Sequence, residues 1–281
     1  MYEAFFGFRE KPFHVTADPA FLYPSRHHQE ALAHLMYGIR ERLGFILITG
    51  EVGTGKTTLA KTLVERLENP VRSALILNPS LSAGQLLRAV LRDFGLDSPA
   101  AGTSRPSLRG RGELLAEIES FLLRQSESAG NAVLIIDEAQ ALSASTLEQI
   151  RLLSNVETPK RKLIQIVLIG QPELSQRLEQ DDRLRALHQR VAVRYHVQPL
   201  SGEEAGEYIL HRLQAAGSDG SVRFTEGALA AIARFSGGVP RRINLLCAQT
   251  LVAAFVRESR EIDESMVEEA SGMLTTATAT S

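Results

Sequence analysis

Residues 50–57 read Gly-Glu-Val-Gly-Thr-Gly-Lys-Thr and follow the apolar run 45–49, which has the character of a buried strand. Glycine lets the backbone approach an anion and point successive N–H groups at it, and the following helix adds its dipole. Lys56 should reach the β and γ phosphates, and Thr57 should ligate Mg²⁺. The pattern predicts a nucleoside triphosphate site. Its predicted residues are Gly50, Glu51, Val52, Gly53, Thr54, Gly55, Lys56, Thr57 and Thr58.

A second apolar run, residues 131–136, ends in the two acids Asp137 and Glu138. An unbroken apolar run is typical of a central parallel strand that is buried on both faces. Ligands of such sheets bind beyond the carboxyl ends of the strands, so the acids and the phosphate loop should converge. We assign Asp137 to the Mg²⁺ shell through water and Glu138 to polarising the attacking water. The alternative, that both acids cap the next helix, leaves the phosphate loop without a partner.

The elements that must position these residues alternate between helix and strand as far as residue 197. The predicted elements are helix 56–67, strand 73–77, helix 83–94, helix 113–125, the acidic strand, helix 145–153, strand 163–169 and strand 191–197. This alternation predicts an α/β fold with a parallel sheet covered by helices on both faces. The segment 95–112 is rich in Gly, Ser and Pro, which predicts a mobile surface loop.

Beyond Pro199 the pattern predicts helices only, over 201–215, 226–235 and 240–258, which together form a small helical lid. Arg241 and Arg242 follow Pro240 at a predicted helix start, where cations oppose the helix dipole. A γ-phosphate brought near by lid closure would supply the missing anion. The alternative is that one arginine is solvated and the other forms a salt bridge.

Composition restricts the compartment and the partners. A net charge of -2 and a pI near 6.4 give no general basic field, so nucleic-acid binding rests on a local patch such as the run 159–162, otherwise a solvated turn. The single cysteine, Cys247, cannot form an internal disulfide, which fits a reducing compartment. Neither a secretory signal nor a membrane span is predicted, so we expect a cytoplasmic protein. His27 and His28 lack a third zinc ligand at suitable spacing, so no metal site is predicted there.

The chain resembles the AAA+ ATPases, which combine a P-loop NTPase sheet, a hydrophobic-Asp-Glu strand and a smaller C-terminal helical lid, from about residue 40 to 270. More specifically, it is similar to the general secretion pathway protein A family, the ExeA/GspA ATPases of type II secretion. That likeness rests on the opening Met-Tyr-Glu-Ala-Phe-Phe-Gly-Phe, on Lys-Pro-Phe at 11–13, and on Gly-Gln-Pro-Glu-Leu at 170–174. The implied domains are an N-terminal linker segment at 1–40, the nucleotide-binding domain at 41–199, the lid at 200–272 and a disordered tail or linker at 273–281.

The resemblance implies an ATP hydrolase with ATP and Mg²⁺ as cofactors, active as a homo-oligomer, either a ring or a nucleotide-dependent dimer. Members of the family carry a cytoplasmic ATPase, a membrane helix and a periplasmic peptidoglycan-binding region, and with an inner-membrane partner they help to assemble the secretin. This sequence shows neither of the later parts. It is therefore either the cytoplasmic portion, at the cytoplasmic face of the inner membrane, or a soluble relative of the kind that accompanies pilus or exosortase systems.

The resemblance also implies roles for single residues. Gln171 is similar to the polar sensor that orients the attacking water, although Asn or Thr is commoner there. Arg190 resembles the arginine finger that reaches a neighbouring subunit's γ-phosphate, with Arg183 and Arg185 as rivals. Arg241 resembles the second sensor. The aromatic residues of the N-terminal segment should pack it against the core, with part of it lining the adenine pocket.

Two other functions remain open from the sequence. One is a nucleic-acid-associated AAA+ adaptor, of the transposition or replication type, in which ATP switches DNA or partner binding. The other is a nucleotide-binding switch with negligible turnover. The nucleotide motifs are common to all three functions and do not separate them.

Overall fold

A computed structural model describes residues 2–77, 79–96, 110–128, 130–159 and 161–278. The chain forms two compact units. The α/β unit comprises residues 27–52 and 59–197, and the helical unit comprises residues 1–26, 53–58 and 198–281. The boundary at residue 197 lies close to the predicted one at 199, whereas the N-terminal segment and part of the phosphate loop group with the C-terminal helices.

The main sheet of the α/β unit has five parallel strands in the order β2-β3-β6-β1-β7. The strands are β1 (Phe45–Gly50), β2 (Val71–Ile76), β3 (Asn131–Ile136), the two-residue strands β4 (Glu157–Thr158) and β5 (Arg161–Lys162), which pair separately, β6 (Ile164–Gly170) and β7 (Val191–Val197). The helices are α2 (Arg26–Arg40), α3 (Lys56–Arg66), α4 (Ala83–Asp93), α5 (Arg111–Glu127), α6 (Ala144–Leu153), α7 (Pro172–Gln180) and α8 (Arg185–His188). The predicted parallel α/β sheet is confirmed.

Alternate residues of the central strands enter two separate hydrophobic cores, one on each face of the sheet. In β1, Phe45 and Leu47 lie in a core with residues of α4, α5 and α6. Ile46 and Ile48 lie in a second core with residues of α2 and α3. Because successive side chains of a strand point to opposite faces, a strand buried on both sides must be apolar throughout.

The helical unit contains α1 (Tyr2–Phe6), a 3₁₀ turn (Pro19–Phe21), α9 (Gly202–Ala215), α10 (Glu226–Ser236), α11 (Pro240–Val256) and α12 (Glu264–Thr278). It is not helical throughout, because β8 (Arg223–Phe224) and β9 (Glu261–Ile262) pair in parallel. Helix α12 was not predicted. It extends over 273–278, so the structure has a helix in part of the segment that was expected to be a disordered tail or linker. Residues 279–281 lie outside the described part of the chain.

The N-terminal segment belongs to the helical unit, which corrects the prediction that residues 1–40 form one linker on the nucleotide-binding core. Four of its aromatic side chains lie in the same core as α9, α10 and α11; they are Phe6, Phe8, Phe13 and Phe21. Residues from His27 onward belong instead to the α/β unit, where α2 buries Ala31 and Leu35 against strand residues. The segment divides there because its aromatic and helical halves bury their apolar groups in different cores.

The structure also bears on four smaller predictions, which concern the loop 95–112, the basic run, a membrane span and the cysteine. Helix α5 begins at Arg111, so the predicted loop 95–112 ends earlier than expected, and its residues 97–109 lie outside the described part of the chain. In the basic run 159–162, Arg161 and Lys162 form one strand of a small hairpin, and Lys162 pairs with Glu157 at 3.1 Å; residue 160 lies outside the described part of the chain. No helix among the described residues is long and apolar enough to cross a membrane. Cys247 is fully buried, and burial raises the pKa of its thiol.

Arg212 of α9 fastens the N-terminal segment to the helical unit. It is only 5% exposed, and burial lowers the pKa of its guanidinium. Its Nε donates to the carbonyl oxygen of Pro12 at 2.6 Å, and its Nη2 donates to that of His14 at 2.9 Å. Its guanidinium carbon lies 4.5 Å from the ring centroid of Phe21.

We expect Arg212→Met to lower the free energy of unfolding by about 3 kcal/mol, because two carbonyl groups lose charged donors in a buried setting. That corresponds to a fall of roughly 6–12 °C in Tm for a chain of this size. Urea and thermal unfolding measure the loss. Arg234→Met is the matched control, because Arg234 is 57% exposed and its ion pairs with Glu264 and Glu268 lie at the surface. Equal losses in the two variants would contradict the assigned role.

Candidate functional site: the phosphate loop and the acidic strand end

The phosphate loop connects the end of β1 at Gly50 to the start of α3 at Lys56. Gly53 and Gly55 have φ angles of +85° and +91°, in the region that favours glycine. Lys56 is only 5% exposed although it carries a charge, and Thr54 is also buried. The loop therefore has the glycine conformations, the helix N-terminus and the buried lysine that a phosphate site requires.

Within the helical unit, the start of α11 packs directly on Gly53. The backbone N–H of Arg241 donates to the carbonyl oxygen of Gly53 at 3.2 Å. A Cβ atom at Gly53 would lie 2.7 Å from Cβ of Arg241 and 3.2 Å from Cγ1 of Val239. Gly53 is thus needed both for its φ angle and for this close approach. This second reason depends on a tertiary contact and could not be predicted from the local sequence.

Both arginines at the start of α11 are exposed. Among the described residues, the side chains of Arg241 and Arg242 form no ion pair and no side-chain hydrogen bond. The alternative in which one of them is salt-bridged is therefore not seen. Two cations lie at the helix end where the dipole disfavours them, beside the phosphate loop.

At the end of β3, the two acids have different surroundings. The N–H of Asp137 donates to the carbonyl oxygen of Ile76 at 2.9 Å, so the pairing of β2 with β3 continues to Asp137, whose side chain is buried. Glu138 has a left-handed φ of 52°, which is strained for a residue with a Cβ atom. Its N–H donates to Oδ1 of Asp137 at 2.9 Å. The chain therefore turns sharply at Glu138, directly after the strand.

Two glutamine side chains hold the carboxylate of Glu138. Nε2 of Gln171 donates to Oε2 of Glu138 at 3.3 Å, and Nε2 of Gln140 donates to the same oxygen. The structure thus brings together Glu138 and Gln171, which the sequence singled out separately. Gln140 was missed, although its place two residues after Glu138 was a signal that could have drawn attention to it.

The sheet order places the strand ends that precede these residues side by side. Strands β3, β6 and β1 are neighbours, and all run in the same direction. Asp137 follows β3, Gln171 follows β6 and the phosphate loop follows β1. Three adjacent strands therefore end in candidate residues at one edge of the sheet, as expected for a parallel α/β fold.

The hydroxyl of Thr57 and the carboxylate of Asp137 are each oxygen donors of a type that suits Mg²⁺. Magnesium prefers oxygen ligands, keeps several waters and usually binds through one or two protein groups together with substrate phosphates. Among the described residues, no group of three or more His, Cys, Asp or Glu side chains could hold a metal. The described part of the chain thus has no metal site built from protein side chains alone.

The three candidate finger arginines differ in their contacts. Nη1 of Arg190 donates to Oγ of Ser154 at 2.9 Å and to Oδ1 of Asn155 at 2.6 Å, just beyond the carboxyl end of α6. Arg183 pairs with Asp181 at 2.7 Å, and this hydrogen bond lowers the pKa of the Asp181 carboxyl. Arg185 is exposed and forms no ion pair with any described residue. Arg190 therefore has one guanidinium nitrogen, Nη1, bound within its own chain at a helix end, where a cation is favourable.

Residues 39–178 match the family model described as AAA domain. This part of the chain is an AAA domain. Over 264 residues and 93% of its length, the chain is 46% identical to General secretion pathway protein A of Aeromonas hydrophila. The chain spans 46% of the length of that relative.

Two solved structures have similar folds. One is the ORC2 protein of Aeropyrum pernix in its ADPNP-ADP complexes, with a TM-score of 0.69, 18% identity, and coverage of 94% of this chain and 71% of that one. The other is the RuvB Holliday junction branch migration motor of Thermotoga maritima, with a TM-score of 0.58, 20% identity, and coverage of 90% and 70%. At these identities the likeness shows the fold alone.

Proposed function

We propose that this chain is a Mg-ATP-dependent AAA+ ATPase whose nucleotide-driven rearrangements help to assemble a cell-envelope secretion machine. The observation that carries the chemistry is the run of three adjacent strand ends bearing the phosphate loop, Gln171 and the Asp137-Glu138 pair. The 46% identity to General secretion pathway protein A supports the biological setting. An action at the cytoplasmic face of the inner membrane, with a membrane protein partner, is part of the proposal.

The residues of this chain divide the work of hydrolysis between them. The loop N–H groups and Lys56 bind the β and γ phosphates and neutralise charge that develops on them. Glu138 accepts a proton from the attacking water. At the same time the water oxygen bonds to the γ phosphorus, and the bond between the γ phosphorus and the β–γ bridging oxygen breaks. Gln171, hydrogen-bonded to Glu138, orients that water. The products are ADP and inorganic phosphate.

Thr57 and Asp137 would hold Mg²⁺. When bound, the ion would neutralise negative charge on the phosphates. Arg241 would sense the γ phosphate from the start of α11, whose N–H already contacts the loop at Gly53. A change in the loop conformation when ATP binds would therefore shift the position of α11 and, with it, the helical unit. We propose that this movement does work on the envelope partner.

Arg190 is proposed as the arginine finger acting on a neighbouring subunit, so hydrolysis should depend on assembly. Arg190→Ala and Glu138→Gln should each be inactive alone, because one lacks the finger and the other lacks the base. When they are mixed, Glu138→Gln subunits supply the finger to the intact sites of Arg190→Ala subunits. We expect part of the turnover to return, since such fingers contribute roughly 10³ to 10⁵-fold. A steady-state phosphate-release assay of the mixtures measures this.

The matched control is Arg185→Ala, which removes a neighbouring arginine that is exposed. Arg190→Ala also loses its bonds to Ser154 and Asn155, so thermal unfolding must show that the variant is folded. If turnover recovers only when Arg185→Ala is mixed with Glu138→Gln, then Arg185 rather than Arg190 is the arginine finger. Turnover per subunit that does not change with protein concentration, and no recovery in any mixture, would reject a finger in trans.

The biological part of the proposal has its own test. Turnover is measured with and without DNA across a salt series, and binding is measured to membranes that contain the inner-membrane secretion components. The proposal predicts no effect of DNA and binding that depends on nucleotide. Stimulation by DNA with a steep salt dependence would instead support the nucleic-acid adaptor. Tight binding of ATP with a single burst of ADP would support a switch with negligible turnover.

A further inference from the structure

We infer that Gln140 is a positioning residue for Glu138, an inference that rests on the proposed function because it concerns the base of that hydrolysis. Gln140 lies in a single 3₁₀ turn, Ala139–Ala141, directly after Glu138. Its side chain contacts two of the predicted site residues. Those contacts determine which way its amide faces.

The orientation follows from the partner of its oxygen. The backbone N–H of Gln171 can only donate, and it lies 3.2 Å from Oε1 of Gln140. The acceptor end of the amide is therefore fixed on the backbone after β6. The donor end, Nε2, must face the other way, where it meets Oε2 of Glu138. Gln140 thus joins the end of β6 to the carboxylate at the end of β3.

The surroundings leave room for this side chain and hold its backbone in place. A Cβ atom on Gly170 would lie 2.7 Å from Oε1 of Gln140, so the glycine at the end of β6 makes the contact possible. Nη1 of Arg177, on α7, donates to the carbonyl oxygens of Gln140 at 3.2 Å and of Leu142 at 2.6 Å. Hydrogen bonds therefore hold both the backbone of the turn and the side chain of Gln140.

This arrangement gives Gln140 a specific task. The strained backbone of Glu138 alone does not select one direction for a side chain with three rotatable bonds. Amide donors from Gln140 and Gln171 converge on one oxygen, Oε2, which leaves Oε1 of the carboxylate for the attacking water. A base displaced by about 1 Å loses on the order of a hundredfold in rate.

The test uses three substitutions that differ in donor and acceptor pattern. Gln140→Glu keeps the shape and the acceptor for Gln171 but replaces the donor by an oxygen facing Glu138. Gln140→His can accept on one ring nitrogen and donate from the other. Gln180→Glu, at the exposed end of α7, controls for the added charge.

We expect turnover at saturating ATP to fall about a hundredfold in Gln140→Glu, to recover partly in Gln140→His, and to stay unchanged in Gln180→Glu. The Kd for ATP, measured by calorimetry, and the Tm should stay near those of the unchanged protein in all three. A purely structural role predicts the opposite order, because glutamate fits the space better than histidine. Normal turnover in Gln140→Glu, with Glu138→Gln inactive, overturns this inference alone. Absence of turnover in the unchanged protein overturns the proposed function instead.

Discussion

Replacing Glu138 by glutamine will leave ATP binding intact and lower turnover by roughly 10² to 10⁴-fold, the usual contribution of a positioned general base. In the proposed mechanism, this substitution removes the group that accepts the proton from water. Glutamine keeps an oxygen that can accept from the amides of Gln140 and Gln171, which now hold Oε2 of the carboxylate. The local structure should therefore survive the change.

The measurement pairs calorimetric Kd values for ATP with phosphate release under saturating ATP. Glu173→Gln is the matched control, because it changes the same residue type at an exposed position near the start of α7. Turnover that is normal in Glu138→Gln would remove this residue from the chemistry. A large loss of affinity would show instead that the variant damages the phosphate loop or the fold.

Replacing Lys56 by alanine will weaken ATP binding by about a hundredfold or more. A charged hydrogen-bond donor to phosphate contributes roughly 3 kcal/mol, and each 1.4 kcal/mol is a factor of ten in Kd. The effect should be large because Lys56 is only 5% exposed, where water screens its charge poorly. Calorimetry with ATP and with ADP measures the loss, which should be greater for ATP because the proposed role of Lys56 includes a contact with the γ phosphate.

The control for this loss is Lys61→Ala, five residues further along α3 and outside the phosphate loop. Lys61→Ala should bind ATP normally. If Lys56→Ala and the unchanged protein bind ATP equally, the loop is not a phosphate site. If the well-folded unchanged protein takes up no adenine or guanine nucleotide at all, the whole functional proposal fails.

The sequence determined the local part of the site. The loop from Gly50 to Lys56 follows from glycine spacing and from a lysine at a helix start, and both are properties of neighbouring residues. The parallel sheet can be predicted from apolar runs that alternate with amphipathic helices, because a strand that is buried on both faces has a continuous apolar sequence. Asp137 and Glu138 could be recognised in the same way, at the end of such a run.

Only the tertiary structure decided which distant side chains meet. The amide of Gln140 reaches the backbone of Gln171 because β3 and β6 are neighbours in the sheet, and no local pattern records that pairing. Likewise, the sequence shows only that the aromatic residues at 6–21 are apolar. The structure shows that they pack in the same core as α9, α10 and α11. Secondary structure and loop chemistry depend on contacts within a few residues, whereas hydrogen-bond partners and shared cores depend on the packing of the whole chain.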